Sequence, residues 1–114
     1  MVIEKRQQLT DECYELLAGR FKVLSEPFRL KILFVLYNGE LSVGEIVARV
    51  GGLQANVSKH LGMLLEAGFL VRRKEGLSAY YRVADENVFL LFNLVCDGLE
   101  RKLKVQREAI KYFK

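Results

Sequence analysis

The stretch LQANVSKHLGMLLEAG, running from Leu53 to Gly68, decides how the rest of the chain is read. At about 100° per residue, Leu53, Val57, Leu61 and Leu64 fall on one apolar stripe. Ala55, Ser58, Lys59 and Gly62 fall opposite it, and Gln54 and Asn56 flank them near the N-terminal end. That outer face is small and polar, with one cation and no acid. A solvent-facing helix ordinarily mixes Glu with Lys, whereas these side chains are short and form hydrogen bonds. Such a face can come close to a base-pair edge and then donate and accept. The same residues also suit an ordinary amphipathic helix with a polar side, and the stretch alone does not separate the two.

Upstream, Ser42-Val43-Gly44-Glu45 has the form of a capping box, with serine at the cap and glutamate three residues later. It opens a short helix with Ile46, Val47 and Val50 turned inward, and Gly51-Gly52 then breaks the chain. Two short helices joined by a tight glycine turn are the helix-turn-helix signature, in which the second helix reads DNA. Further back, Leu9, Cys13, Leu16, Leu17, Phe21 and Leu24 follow helical spacing, which predicts a helix over residues 10–24. Ser25-Glu26-Pro27 stops it and starts the next, because proline suits a first helical turn and Ser25 or Glu26 can cap it. That second helix is expected to carry Leu30, Leu33, Phe34 and Tyr37 on one face and to end near Asn38-Gly39.

Downstream of Gly68 the pattern changes. Phe69 to Arg73 and Ala79 to Val83 are short runs rich in β-branched and aromatic residues, and Gly76 supplies the tip of a hairpin between them. Arg72, Arg73, Lys74 and Arg82 crowd this ribbon, with Glu75 as the acid that offsets them. Placed directly after a reading helix, such cations favour phosphate or minor-groove contact over a merely solvated face. Asp85 or Glu86 then starts a long helix with Val88, Phe92, Val95, Leu99 and Leu103 on one stripe, widened by Phe89, Leu91 and Cys96. So broad an apolar surface predicts packing against something outside the domain. The tail from Lys102 to Lys114 is mainly basic and is expected to fray.

Composition agrees with one globular domain: 114 residues, 51% hydrophobic and 28% charged. No window is apolar enough to span a membrane, and Met1 to Arg6 is too polar for a signal peptide, so a cytoplasmic location is expected. A net charge of +4 is a mild bias towards polyanions. The two cysteines, Cys13 and Cys96, give neither a disulfide framework nor zinc-finger spacing. One histidine, no Cys/His pair at a plausible spacing and no Gly-rich phosphate loop after a strand argue against an enzyme.

Taken in order, four helices, a basic two-stranded wing and a closing helix resemble the winged helix-turn-helix repressors of the ArsR/SmtB family. Four segments carry the resemblance: LSEPFRLKIL from Leu24, VSKHL from Val57, LEAGFLV from Leu65 and YYRV from Tyr80. It covers residues 21–103. It implies a mainly α fold with a two-stranded β wing, and a dimeric repressor binding a dyad-symmetric DNA site. The first and last helices, about residues 10–24 and 86–104, would form the dimer interface. Both carry surplus apolar surface. At the start of the reading helix the family usually shows Gly-Leu-Ser, whereas this chain has Gly51-Gly52-Leu53, and Gly52 is expected to take the cap.

The family often binds metal or arsenic, through thiolates near the third helix or through Asp/His ligands on the last. In the matching stretch from Glu40 to Ile46, Ser42 and Gly44 stand where the thiolates would be, and neither offers a soft ligand. The last helix holds Asp85, Glu86, Asp97 and Glu100 but no histidine. No metal site and no cofactor are therefore expected. His60, at the edge of the apolar stripe, is read as structural or facing the DNA backbone. Cys13 and Cys96 are candidate sensor thiols for an oxidant, reactive sulfur or arsenite. The plainer reading makes them small hydrophobes of a packed interface.

The sequence thus predicts a homodimeric repressor with Gln54, Ala55, Asn56, Ser58 and Lys59 in the major groove. His60, Arg72, Arg73, Lys74, Tyr80 and Arg82 complete the expected DNA surface. The alternative from another class is a dimerisation or interaction module that keeps the fold without reading DNA.

Overall fold

Thr10 has an extended backbone and accepts the Cys13 N–H on its hydroxyl at 3.2 Å, which starts α1 (Asp11–Leu24). The computed structural model describes residues 8–111, divided into two compact units that meet between Ala84 and Asp85. In the first unit α1 is followed by α2 (Pro27–Val35), β1 (Leu41–Ser42), α3 (Val43–Val50), α4 (Gln54–Glu66), β2 (Leu70–Glu75) and β3 (Ser78–Val83). The second unit contains α5 (Asn87–Lys111).

Ser25 closes α1, and Glu26 caps α2 by accepting the Arg29 N–H at 3.0 Å. Pro27 occupies the first helical turn, where its missing N–H costs nothing. The helix ends at Val35, earlier than the sequence predicts, and its most buried residues are Ile32, Leu33 and the capping Leu36. Of the residues expected to share one face, Leu33 is buried whereas Phe34 and Tyr37 are largely exposed. α2 is apolar on nearly every side, so its periodicity does not single out a face.

The capping box opens α3 as expected: Ser42 Oγ accepts from Glu45 N–H, and Glu45 Oε1 accepts from Ser42 N–H. Ile46 is fully buried, with Val47 and Val50 half-buried. Gly51, at φ 81° and ψ −178°, then turns the chain in a region of backbone space nearly closed to other residues. In α4, Val57, Leu61 and Leu64 are fully buried. Leu53 departs from that stripe and is 77% exposed, because it is the extended N-cap residue and lies outside the helical phase. It caps the helix in place of Gly52 and makes no side-chain cap bond.

α4 ends in a Schellman motif, with Phe69 N–H bonding Leu64 C=O at 2.9 Å and Gly68 N–H bonding Leu65 C=O at 3.1 Å. Gly68, at φ 85°, supplies the left-handed residue that this motif needs. The chain is thereby delivered into β2, and β3 returns antiparallel through the Gly76-Leu77 turn. The sheet has three strands, ordered β1-β3-β2, where the sequence predicts two. Leu41 pairs with Tyr81 and Ser42 with Tyr80. A two-residue strand is too short to show an alternating pattern, and Ser42 is also the cap of α3. Leu41, Tyr81, Leu70 and Val83 bury the inner face of this sheet.

In the second unit, Asp85 accepts the Asn87 N–H at 2.9 Å at the start of α5, which continues to Lys111. The described part of the basic tail is therefore helical, and residues 112–114 lie outside the described residues. Val88, Phe89 and Phe92 are buried, with the two phenylalanine rings edge to face at 6.2 Å. Val95, Leu99 and Leu103 of the same predicted stripe are exposed. No helix among the described residues is long and apolar enough to cross a membrane.

Replacing Gly51 with Ala forces a Cβ into that backbone region, although the space around it is open. Urea denaturation should show Gly51→Ala less stable by about 1–3 kcal/mol. Gly44→Ala, in a helix and also in open space, should show no loss.

Candidate nucleic-acid interface

Burial of Val57, Leu61 and Leu64 fixes which side of α4 faces outward. Gln54, Ala55, Asn56, Ser58 and Lys59 are all exposed on that helix, and its one acid, Glu66, is its last residue. With no side-chain cap at Leu53, the first N–H groups of α4 are also left without a side-chain acceptor. His60 is half-buried and packs its ring on Phe28, centroids 5.2 Å apart.

The wing's register sorts its charges. Arg72 lies opposite Tyr81 and Lys74 opposite Ala79, on the face that buries Leu70 and Val83 nearer the body. Arg73 lies opposite Tyr80 and Arg82 opposite Val71, on the other face. Arg73 is the most constrained of these cations. It donates through Nη2 and Nε to both carboxylate oxygens of Glu40, at 2.6 and 3.2 Å, and through Nη1 to Glu75 at 2.6 Å. Its guanidinium also lies over the Tyr80 ring, 4.8 Å from the centroid.

Glu40, just before β1, therefore offsets wing charge along with Glu75, a partner that the sequence does not reveal. The Arg73 hydrogen bonds hold the Glu40 carboxyl below the ordinary carboxylate value, and the same bonds push the Arg73 guanidinium upward. Arg72, Lys74, Arg82 and Lys59 make no ion pair within 4.0 Å among the described residues. The wing thus combines one cation committed to the protein with three that are not.

Two further arginines brace α4 and its C-terminal turn, and neither is legible as such in the sequence. Arg20 of α1 donates to the Ala67 carbonyl at 2.9 Å and lies over the Phe69 ring at 4.3 Å. Arg29 of α2 donates to the Val23 carbonyl at 2.7 Å and to Met63 Sδ at 3.0 Å. The Arg20–Ala67 and Arg29–Met63 contacts join residues 47 and 34 apart in sequence, which local periodicity does not encode.

Cys13 lies in the first turn of α1 and Cys96 in α5, and each is exposed in the single chain. Among the described residues no group of three or more His, Cys, Asp or Glu is placed to hold a metal ion.

A helix-turn-helix with an acid-free outer face, followed by a cationic antiparallel ribbon, defines a winged helix-turn-helix protein. The chain belongs to the arsR family of bacterial regulatory proteins, whose family model matches residues 26–71. It is 34% identical over 95 residues to an HTH-type transcriptional regulator of Mycobacterium tuberculosis, covering 82% of this chain and 83% of that one. The crystal structure of that regulator superposes with a TM-score of 0.77 at 33% identity, covering 85% of this chain and 98% of that one. A homodimeric winged helix-turn-helix domain from Mycobacterium bovis, solved by NMR, gives 0.73 at 32% identity, covering 84% and 92%. The biofilm growth-associated repressor of Agrobacterium fabrum is 40% identical over 65 residues, 57% of this chain and 56% of that one.

The Glu40–Arg73 pair has a definite pH signature. Because the folded Glu40 value is depressed, its contribution is present above the ordinary value of 4.5 and is lost as pH falls through the lower folded value. NMR signals of the Arg73 side chain should report a restrained group from neutral pH to about pH 5 and an averaged one in stronger acid. Glu40→Gln should remove most of that acid step.

Proposed function

We propose that this chain is a homodimeric, sequence-specific DNA-binding repressor that sets α4 in the major groove and its wing on the flanking backbone. The acid-free outer face of α4, fixed by three fully buried residues on the opposite side, carries this reading. Gln54 and Asn56 are suited to bidentate pairing with adenine, Ser58 to either base edge, and Ala55 and Lys59 to close approach and charge. Arg72, Lys74 and Arg82 contact phosphates, Tyr80 supports the wing, and Arg73 holds the wing's shape while it keeps Glu40 and Glu75 engaged.

Two copies are needed for a dyad-symmetric operator. The exposed Tyr14, Leu17 and Phe21 of α1, and Leu94, Val95, Leu99 and Leu103 of α5, supply apolar surface for pairing. The likeness to a homodimeric winged-helix domain supports the same assembly.

A thiol response is the finer part of the proposal. Cys13 and Cys96 are both exposed in the single chain, so oxidant, persulfide or arsenite can reach them before subunits pair. If instead they only fill the dimer interface, the repressor stands without a thiol switch.

Fluorescence anisotropy with duplex DNA from the protein's own upstream region tests the reading. Tight binding that weakens steeply with salt is expected. Arg72→Ala should weaken binding to all sequences alike and flatten the salt slope. Gln54→Ala and Asn56→Ala should relax preference at an A·T pair by about 1–3 kcal/mol. Binding that barely changes with salt favours the interaction module instead. Loss of binding on thiol treatment, restored by reductant, supports the switch, whereas indifference to every treatment removes it.

A further inference from the structure

Arg73 stands on β2, an edge strand of the sheet, yet its side chain does not extend off that edge. Arg73 pairs with Tyr80, and Tyr80 pairs with Ser42, so one row of residues crosses all three strands. The guanidinium follows that row, lies over the Tyr80 ring and reaches Glu40, the residue before β1. Of its five N–H groups, Nε and one on Nη2 serve Glu40, and one on Nη1 serves Glu75.

Burial does not enforce this arrangement, because the Arg73 side chain is 50% exposed. Ion pairs at such exposure add little to stability, and the β2–β3 ladder already fixes the hairpin. Two acids on one arginine are thus more than the fold needs. Their effect on charge is larger. One cation against two carboxylates leaves the cluster with a net negative charge at neutral pH, whereas Arg72 and Lys74 on the opposite face have no acid against them. A phosphate that took Arg73 would replace two carboxylates with one anionic group. It would also leave both acids bare beside a polyanion, where like charges repel. The exchange is unfavourable, so Arg73 stays with its acids.

We propose that Glu40 and Glu75 limit the wing's sequence-independent affinity for DNA by holding Arg73 off the phosphate backbone. This rests on the DNA-binding reading above. The two acids act through Arg73 and touch no base, so they set how strongly every duplex is held and leave the choice among sequences to α4. A further phosphate contact is a term common to all sequences and steepens the dependence on salt.

Anisotropy on full-length protein, with the upstream duplex and an unrelated one, tests this. Glu40→Gln combined with Glu75→Gln should tighten binding to both duplexes about three- to ten-fold, leaving their ratio unchanged. Between about 200 and about 50 mM salt that gain should itself grow roughly three- to four-fold, as one added phosphate contact requires. Adding Arg73→Ala to this pair should abolish the gain and its salt dependence, and Arg73→Ala alone should leave the wild-type salt slope unchanged. In wild-type protein the Arg73 Nε–H signal should stay in place at duplex saturation, a readout that needs no variant to fold. A gain that survives Arg73→Ala overturns the proposal, because plain removal of acids would then explain it. So does a doubly substituted protein that binds no tighter than wild type, a flatter salt slope in Arg73→Ala alone, or an Arg73 signal that shifts on DNA. Wild-type protein that binds no duplex refutes the DNA-binding reading and this role together, whereas any of the other failures with wild-type binding intact refutes this role alone.

Discussion

Val57, Leu61 and Leu64 have no exposed surface, and their burial fixes the rotation of α4 about its own axis. Each such side chain is worth about 1.5–3 kcal/mol when removed from water, so turning the helix to hide its polar face instead would cost most of that contribution. The exposed residues from Gln54 to Lys59 are presented because of this constraint. Nothing in the fold requires their identities. A helix held this firmly from one side can offer short, uncharged groups on the other without losing its place. The Schellman turn at Gly68 then fixes where β2 starts, so that α4 and the wing leave the core in a set relation within the same unit.

The arginines divide by task. Arg20, Arg29 and Arg73 are engaged within the protein, each through its guanidinium and each with more than one contact. A planar fork of donors suits that bracing, because one side chain can satisfy several acceptors in fixed directions. Arg72, Arg82 and the lysines at 59 and 74 are exposed and make no ion pair among the described residues. Arg73 is engaged with both Glu40 and Glu75, so part of the wing's positive charge is offset within the protein.

The legible parts of the fold were those encoded within one turn or one strand. The Ser42–Glu45 box, the Gly51-Gly52 break and the Gly76 turn each act on neighbours a few residues away, and each stands where its spacing predicts. What the spacing missed involves distant partners or too few residues. β1 has two residues and is defined only by its pairing with Tyr80 and Tyr81. α2 is apolar on too many sides for periodicity to pick Ile32 and Leu36 over Phe34 and Tyr37. Leu53 is in phase with the buried stripe by count but precedes the helix by backbone conformation. At the site, the exposed face of α4 could be read directly, while the Glu40–Arg73 pair could not, since 33 residues separate its members. The packing of His60 likewise depends on Phe28, which only the folded chain brings close.

In the proposed function, the outward face of α4 and the exposed cations of the wing form one surface for duplex DNA. Backbone amide chemical-shift mapping tests it most directly, with duplex from the upstream region titrated into ¹⁵N-labelled full-length protein. The largest changes should fall on residues 54–60 and on the wing around Arg72, Lys74 and Arg82. Ile32, Leu33 and Ile46 in the core should move little. Changes centred on α1 or α5, with residues 54–60 unmoved at saturation, would contradict it.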